Sequence, residues 1–386
     1  MNNEENLEDQ TSNATTDSQI ARSQDSDQSI LPNLPFELIT EILLRLPVKS
    51  LLKFRCVSKS WLSLTFSSRF IKAHLKLSDD DKDYTHHKVI LLDLSHAIVK
   101  SCSLQSFLDT PPADLATNVS LPEELVKRSF CMVGSCDGLI CLEVRYDVYL
   151  WNPCTRKCKK LPGPTFEGRS PGWFYCVYGF GYDKSSDDYK VVAILAERSK
   201  LDGVYRVTQV RIYSISTDSW RSIENFREGV ELDKPGKLFN GKLHWVVRPC
   251  VVSINLENEM CEEFELPYYG EHGIDPALGE LEGKFAVLCD HYLTVDVWVM
   301  KEYGVKESWT KIFNVIVGDD LWYNFYSPPL FFQKKNGEVV VLHGSILMVY
   351  DLKNYPDNNP QLNRFHGYAA ANMHVESLVQ PWLMMD

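Results

Sequence analysis

Between Pro35 and Pro47 the apolar residues Leu38, Ile39, Ile42, Leu43 and Leu46 recur at three-and-four spacing, which predicts a short amphipathic helix. Pro35 suits a first helical turn, where no N–H is required, and Pro47 stops the helix because it lacks an N–H and clashes with the turn before it. A shorter helical stretch follows over residues 49–54 with Leu51, Leu52 and Phe54. Ser58 can cap a third helix carrying Trp61, Leu62 and Leu64, and a fourth over residues 69–77 would pack Phe70, Ile71 and Leu75. Beyond Leu77 the helical period is lost. Short β-branched and aromatic runs now alternate with turn residues, the pattern of strands.

Asp137-Gly138, Asn240-Gly241, Glu282-Gly283 and Asn336-Gly337 each sit between apolar runs, and such pairs accept the positive φ angles of two-residue hairpin turns. Residues 182–189 form a longer polar loop between two strands. A second pair of strands follows each: residues 148–153 with 160–162, 210–215 with 219–221, 252–255 with 264–267, 295–300 with 308–310, and 348–352 with 365–368. From Gly138 through Asp187, Gly241 and Gly283 to Gly337 the steps are 49, 54, 42 and 54 residues. A four-stranded unit recurring about every 50 residues predicts a β-propeller, here of five or six blades. The strand at 88–94 could pair with material near the C-terminus to close a blade. An irregular stack of antiparallel sheets is the competing architecture.

Charge divides the chain into three. The 386 residues carry 52 acids and 40 bases, a net −12. Residues 1–30 hold seven acids against Arg22 and almost no large apolar side chain, so they are expected to form a disordered tail. Residues 31–76 invert the sign, with eight bases against Glu37 and Glu41, and residues 77–386 return to −12. The acidic sum argues against nucleic-acid and membrane-surface partners, and no apolar run approaches the roughly 18 residues of a membrane span. The opening residues are acidic and polar where a secretory signal is basic and then apolar, and the eleven cysteines are an odd number. Both point to reduced thiols in the cytoplasm or nucleus.

About 45 residues rich in aliphatic side chains make a poor independent domain. Their apolar excess therefore serves either a partner or the chain's own large domain. The run from Leu34 to Trp61, with Leu-Pro-x-Glu-Leu-x-x-Glu-Ile-Leu-x-Arg-Leu-Pro-Val-Lys-Ser-Leu-Leu at its heart, resembles an F-box. That resemblance implies docking to a Skp-type adaptor and, through it, to the cullin and RING subunits of a ubiquitin ligase. It assigns Leu34, Pro35, Leu38, Ile42, Leu43, Leu46, Pro47, Leu51, Leu52, Val57 and Trp61 to adaptor-facing or module-core positions, without saying which is which. The basic residues suit an acidic adaptor, since complementary charge aids encounter and register.

The β region is similar to the F-box-associated domain of plant F-box/kelch-repeat proteins, including their immune-regulatory and S-locus branches. The stretches that carry the likeness are 135–140, 150–156, 178–183, 186–192 and 297–311, although the double glycine of kelch repeats is absent. The resemblance implies a non-catalytic subunit that captures a protein target for ubiquitination, with no cofactor. A scaffold outside any ligase and an enzyme on a propeller scaffold are the rival readings. Loops on a rigid scaffold commonly carry specificity, so residues 166–174, 198–206, 268–275 and 318–327 are candidate recognition segments, with Tyr268, Tyr269, Trp322, Tyr323 and Tyr326 as aromatic candidates. Trp151, Trp220, Trp245, Trp298 and Trp309 belong to repeated strands and are expected in the core.

Chemical motifs are few. Gly168-Arg169-Ser170-Pro171-Gly172 fits a nucleophile-elbow pattern, but the residue after the serine must donate its N–H to an oxyanion, and Pro171 has none. Cys131, Cys136, Cys141, Cys154 and Cys158 lack the two close pairs of a structural zinc site, and the first three read as small buried apolar residues. His86-His87 reads as a solvated turn. Gly179-Phe180-Gly181 lacks the third glycine of a dinucleotide site and reads as a β-bulge or as tight packing on aromatics.

Overall fold

The computed structural model describes residues 34–81, 84–93, 98–109, 116–126, 128–166, 174–199, 203–224, 226–227, 230–232, 234–268, 276–291, 294–316, 329–334, 336–343, 346–351, 361–364 and 370–382. The acidic tail and the 168–172 motif lie outside them. Four helices come first: α1 (Phe36–Leu44), α2 (Val48–Phe54), α3 (Lys59–Phe66) and α4 (Ser68–Asp79). Pro35 and Pro47 directly precede α1 and α2, where a missing N–H is harmless. Ser58 Oγ accepts the Trp61 N–H at 3.2 Å to cap α3, as expected, and Ser67 Oγ caps α4 from the Phe70 N–H at 3.3 Å.

Among the described residues the β region forms six four-stranded antiparallel sheets. Blade 1 contains β1 (His87–Asp93), β2 (Ile98–Ser103) and β3 (Thr117–Asn118); blade 2 contains β4 (Cys131–Cys136), β5 (Leu139–Val144), β6 (Asp147–Asn152) and β7 (Lys157–Lys160). Blade 3 has β8 (Phe174–Asp183), β9 (Asp188–Arg198), β10 (Tyr205–Ser214) and β11 (Ser219–Ser222); blade 4 has β12 (Lys237–Phe239), β13 (Lys242–Val247), β14 (Cys250–Asn255) and β15 (Cys261–Glu265). Blade 5 follows with β16 (Ala277–Leu281), β17 (Lys284–His291), β18 (Thr294–Met300) and β19 (Trp309–Ile316), and blade 6 with β20 (Leu330–Gln333), β21 (Glu338–His343), β22 (Ile346–Asp351) and β23 (Gln361–Arg364). β23 pairs with β22 at the outer edge of blade 6, and the expected strand at 365–368 lies outside the described residues. Finally β24 (Ala370–Val375) pairs with β1, Val89 opposite Met373, and completes blade 1. The innermost strands β24, β4, β8, β12, β16 and β20 touch in that circular order. The molecule is a six-bladed propeller closed by its last strand.

Each seam between neighbouring blades holds its own apolar cluster. Indoles of outer strands add cross-seam ties: Trp220 Nε1–H donates to the Pro162 carbonyl at 2.6 Å and Trp309 Nε1–H to that of Glu265 at 3.0 Å. Trp151, Trp245 and Trp309 are buried, whereas Trp220 and Trp298 are half-buried.

The cluster between blades 2 and 3 is special because it also takes in the helices. Val133, Leu139 and Leu150 of blade 2 and Tyr178, Phe180 and Val191 of blade 3 share it with Leu43, Val48, Leu51, Phe70 and Ile71 of α1, α2 and α4, and with Leu378 and Val379 downstream of β24. Asn152 holds that last segment. Its side-chain Nδ2–H2 donates to the carbonyls of Ser377 at 3.1 Å and Val379 at 2.8 Å, while its Oδ1 accepts the Cys154 N–H at 2.8 Å. Ser377 Oγ–H in turn donates to the Asp137 carbonyl at 2.6 Å.

Gly138 makes room for this clasp. Its φ is +81°, and a Cβ there would lie 2.3 Å from Ser377 Oγ and 2.6 Å from the Val375 carbonyl oxygen. Gly283 occupies the same kind of turn at φ +70° with nothing near its Cβ position. A left-handed alanine costs about 1–2 kcal/mol by itself. Chemical denaturation should therefore show Gly138→Ala losing more stability than Gly283→Ala, by about 1 kcal/mol or more, and equal losses would contradict the clasp.

Candidate functional site

The helical module divides its apolar residues between two sides. Leu43 and Leu51 are buried, and Ile39, Leu46, Leu52 and Trp61 are half-buried. Leu34, Leu38, Ile42 and Val57 are 50–61 % exposed, and Pro35 and Pro47 are also exposed. Leu38 and Ile42, four residues apart, share a side of α1 that is left exposed among the described residues, and the exposed Leu34 lies just before the helix begins. The single apolar face read from the periodicity is therefore two half-faces, one turned to the core and one to solvent. Exposed apolar area of this kind marks an interaction surface.

Internal bonds fix the shape of that surface. Arg55, at the end of α2, donates from Nη2 to the Thr65 carbonyl at 3.1 Å and from Nε to Thr65 Oγ1 at 3.3 Å, while its guanidinium lies 3.8 Å from the centre of the Phe66 ring. Phe54 meets Trp61 edge-on at 5.7 Å. On the opposite side His74 Nε2–H donates to the Leu46 carbonyl at 2.9 Å, and Lys72 pairs with Asp187 of blade 3. Lys49, Lys53 and Lys59 are exposed, which keeps the free side of the module basic.

Strand direction then decides what faces away. With antiparallel neighbours, the first-to-second and third-to-fourth turns of every blade share one face. The second-to-third turns and blade-to-blade connections share the other. Helix α4 meets the first kind: Asp187 lies between β8 and β9, and a cleft beside α4 includes Ile215 and Ser216 between β10 and β11. The four candidate recognition segments are all flanked by strand ends of the opposite face. On that face a cavity of about 780 Å³ opens between blades 3 and 4, walled by Tyr175 and Tyr205, whose rings are 5.0 Å apart, with Val230, Leu232, Val247 and Arg248 around it.

Comparison with known proteins decides the family. The F-box domain matches residues 31–72 and the F-box associated beta propeller domain residues 89–376. The chain is 34% identical to F-box/kelch-repeat protein At3g23880 of Arabidopsis thaliana over 90% of this chain and 96% of that one. The chain belongs to the plant F-box proteins that carry a C-terminal F-box-associated domain. It is also 29% identical to the F-box protein CPR1 of the same plant, over 90% of this chain and 89% of that one. Among solved structures, TolB from Acinetobacter baumannii is similar at a TM-score of 0.45 and 11% identity, over 80% of this chain and 73% of that one.

The F-box adds Phe36, Leu62 and Phe66, 48%, 40% and 45% exposed, to the apolar residues expected at its surface. Periodicity alone could not find them, because an exposed and a buried phenylalanine read alike in sequence. Of the aromatic candidates on the propeller, Tyr268 is 81% exposed just past β15, and Tyr269, Trp322, Tyr323 and Tyr326 lie outside the described residues. All eleven cysteines are free thiols. Cys141 is buried as expected, but Cys136, at the end of β4 beside the turn, is half-buried and Cys131, at its start, is exposed. Burial pushes the Cys154 and Cys158 thiols up to about 12, so both are poor nucleophiles. Among the described residues no three His, Cys, Asp or Glu side chains group as metal ligands, and no helix is long and apolar enough to cross a membrane. Gly179 and Gly181 lie in an unbroken β8–β9 ladder, and a Cβ at Gly179 would come within 2.8 Å of the Trp245 ring, so close packing and not a bulge explains them. His87 corrects the solvated-turn reading: it opens β1 and is only 8% exposed, because the β24 pairing draws it into blade 1.

The two half-faces of α1 differ in their response to mutation. Leu38→Gln with Ile42→Gln should leave stability within about 0.5 kcal/mol, and Leu51→Ala should cost about 2–5 kcal/mol, both read from urea unfolding of the full chain. A large loss in the double variant would place that side of α1 in the core.

Proposed function

We propose that this F-box protein is the substrate receptor of a cullin–RING ubiquitin ligase of the SCF type. The exposed residues of and before α1, Leu34, Phe36, Leu38 and Ile42, together with the exposed Val57, dock a Skp-type adaptor, and the adaptor brings the cullin and RING subunits. The observation that carries this reading is the apolar surface left free on a module whose other side is already committed to the propeller. A 45-residue helical module spends such surface on a partner or loses it to aggregation.

The face of the propeller opposite α4 captures the target protein, with the 780 Å³ cavity beside Tyr175 and Tyr205 as part of the capturing surface. The chain supplies no catalytic group. It contributes proximity, holding the target where ubiquitin carried by the rest of the assembly reaches it, which converts a bimolecular encounter into a local one. Its eleven unpaired thiols fit work in the cytoplasm or nucleus.

Titration of the full chain with a purified Skp-type adaptor tests the docking half. Leu38→Gln with Ile42→Gln, folded by circular dichroism, should bind about 30-fold more weakly or worse, the loss expected from two anchors in one interface. Unchanged binding by this variant, or none by the native chain, would remove the proposal.

A further inference from the structure

Three histidines lie on the elements where the F-box, the linker after it and the ring closure join, His87 and His374 on opposite faces of blade 1, and each has a buried Nδ1 without a hydrogen-bond partner. His74 on α4 is 1% exposed; its Nε2 carries the proton given to the Leu46 carbonyl, so its Nδ1 is a bare lone pair. His87 begins β1, and His374 on β24, 3% exposed, lies directly across the ladder from Lys88. The His86 ring stands 6.2 Å from that of His74, and the His86 carbonyl accepts the Glu376 N–H at 2.8 Å. These elements are the ones that fasten the F-box to the propeller and the propeller to itself. Buried polar atoms without partners are rare in folded proteins, and three at one joint call for an explanation.

The surrounding charges are few. The charges of His86 and Glu376 act on His74, those of Asp81 and His86 on His87, and those of Lys88 and His87 on His374. Glu376 is itself paired with Lys88 at 2.7 Å. Burial is the dominant effect at all three and lowers their proton affinity, to about 3 at His374, where Lys88 and His87 act in the same direction. At His74 the Leu46 carbonyl and Glu376 oppose burial, and at His87 Asp81 does, without overcoming it. A proton added at His74 Nδ1, or a second proton on His87 or His374, would be a charge on a ring whose buried Nδ1 has no hydrogen-bond partner.

We infer that this joint is an acid-release device, in which protonation of His74, His87 and His374 frees α4 and the β24–β1 closure while the other blades stay folded. A histidine whose pKa is depressed by folding contributes its full stabilisation above the ordinary value near 6.5. That contribution is lost as pH falls below 6.5. At pH 5.5 His374, held at about 3 in the closed joint, favours the open joint by about tenfold once released, and His74 and His87 push in the same direction. His244 is buried too, but Tyr303 and the Lys237 carbonyl engage both its nitrogens, and it lies in blade 4, away from the joint. The device is a property of the fold and stands whether or not the chain serves a ligase.

Hydrogen–deuterium exchange of the full chain at pH 7.5 and 5.5, corrected for the intrinsic pH dependence of exchange, tests it. Peptides covering α4, β1 and β24 should lose protection tenfold or more relative to β18 and β19, which contain no histidine. In a His74→Gln, His374→Gln chain, where glutamine keeps a donor for the Leu46 carbonyl, the relative loss should shrink to threefold or less. A uniform loss across the wild-type propeller overturns the inference, as does a seam-specific loss unchanged in the variant. The wild-type comparison can overturn it unaided, so a variant that fails to fold does not shield it.

Discussion

Asn152 grips the backbone of residues 377–379 from 225 positions upstream, and the rest of the molecule hangs on that grip. The segment it holds follows directly on β24, the strand that closes the ring, and its Leu378 and Val379 are part of the wall against which the helices pack. A buried carboxamide with its oxygen and nitrogen both engaged is worth more than its bonds alone suggest, because removing it takes the donor from the carbonyls of two buried residues. One residue thus ties three things together: the end of blade 2, the closure of the propeller and the seat of the F-box. The family-like stretches Asp137-Gly138 and Asn152 acquire a physical meaning from it. They are the two jaws of the clasp.

The seat explains how so small a helical module can leave so much apolar surface bare. Leu43, Leu51, Phe70 and Ile71 draw their burial from blades 2 and 3, not from the other helices alone. Leu38 and Ile42 are then free for a partner. Packing on the large domain holds for one side of α1, and the exposed other side is the one the interface reading needs. The basic residues divide in the same way, with Lys72 turned inward to Asp187 and Lys49, Lys53 and Lys59 left at the free surface.

Local features were legible in the sequence because their causes are local. The Ser58 cap, the Pro47 break and the Asp137-Gly138 turn depend on neighbours within four residues. The blade number was harder: blade 1 shows only β1 as a clear run, since β3 is two residues long and its inner strand comes from the far end of the chain. Long-range partners left no trace in any window of sequence. Asn152 looks like an ordinary turn residue until residues 377–379 are beside it, and His86-His87 looks like a polar turn until β24 covers His87. The two half-faces of α1 cannot be told apart by period, because burial depends on where blades 2 and 3 stand. On the propeller the aromatic loop candidates pointed to the face opposite α4, yet the cavity there is walled by Tyr175 and Tyr205 from strands.

The most direct measurement is a structure of the full chain bound to its Skp-type adaptor. The adaptor should cover Leu34, Phe36, Leu38, Ile42 and Val57, with α4, residues 377–379 and blades 2 and 3 packed as they are in the free chain and the face bearing Tyr175 and Tyr205 open. An adaptor seated elsewhere, or one that lifts the helices off the propeller to reach Leu43 and Leu51, would contradict the division of the module into an anchored side and a docking side.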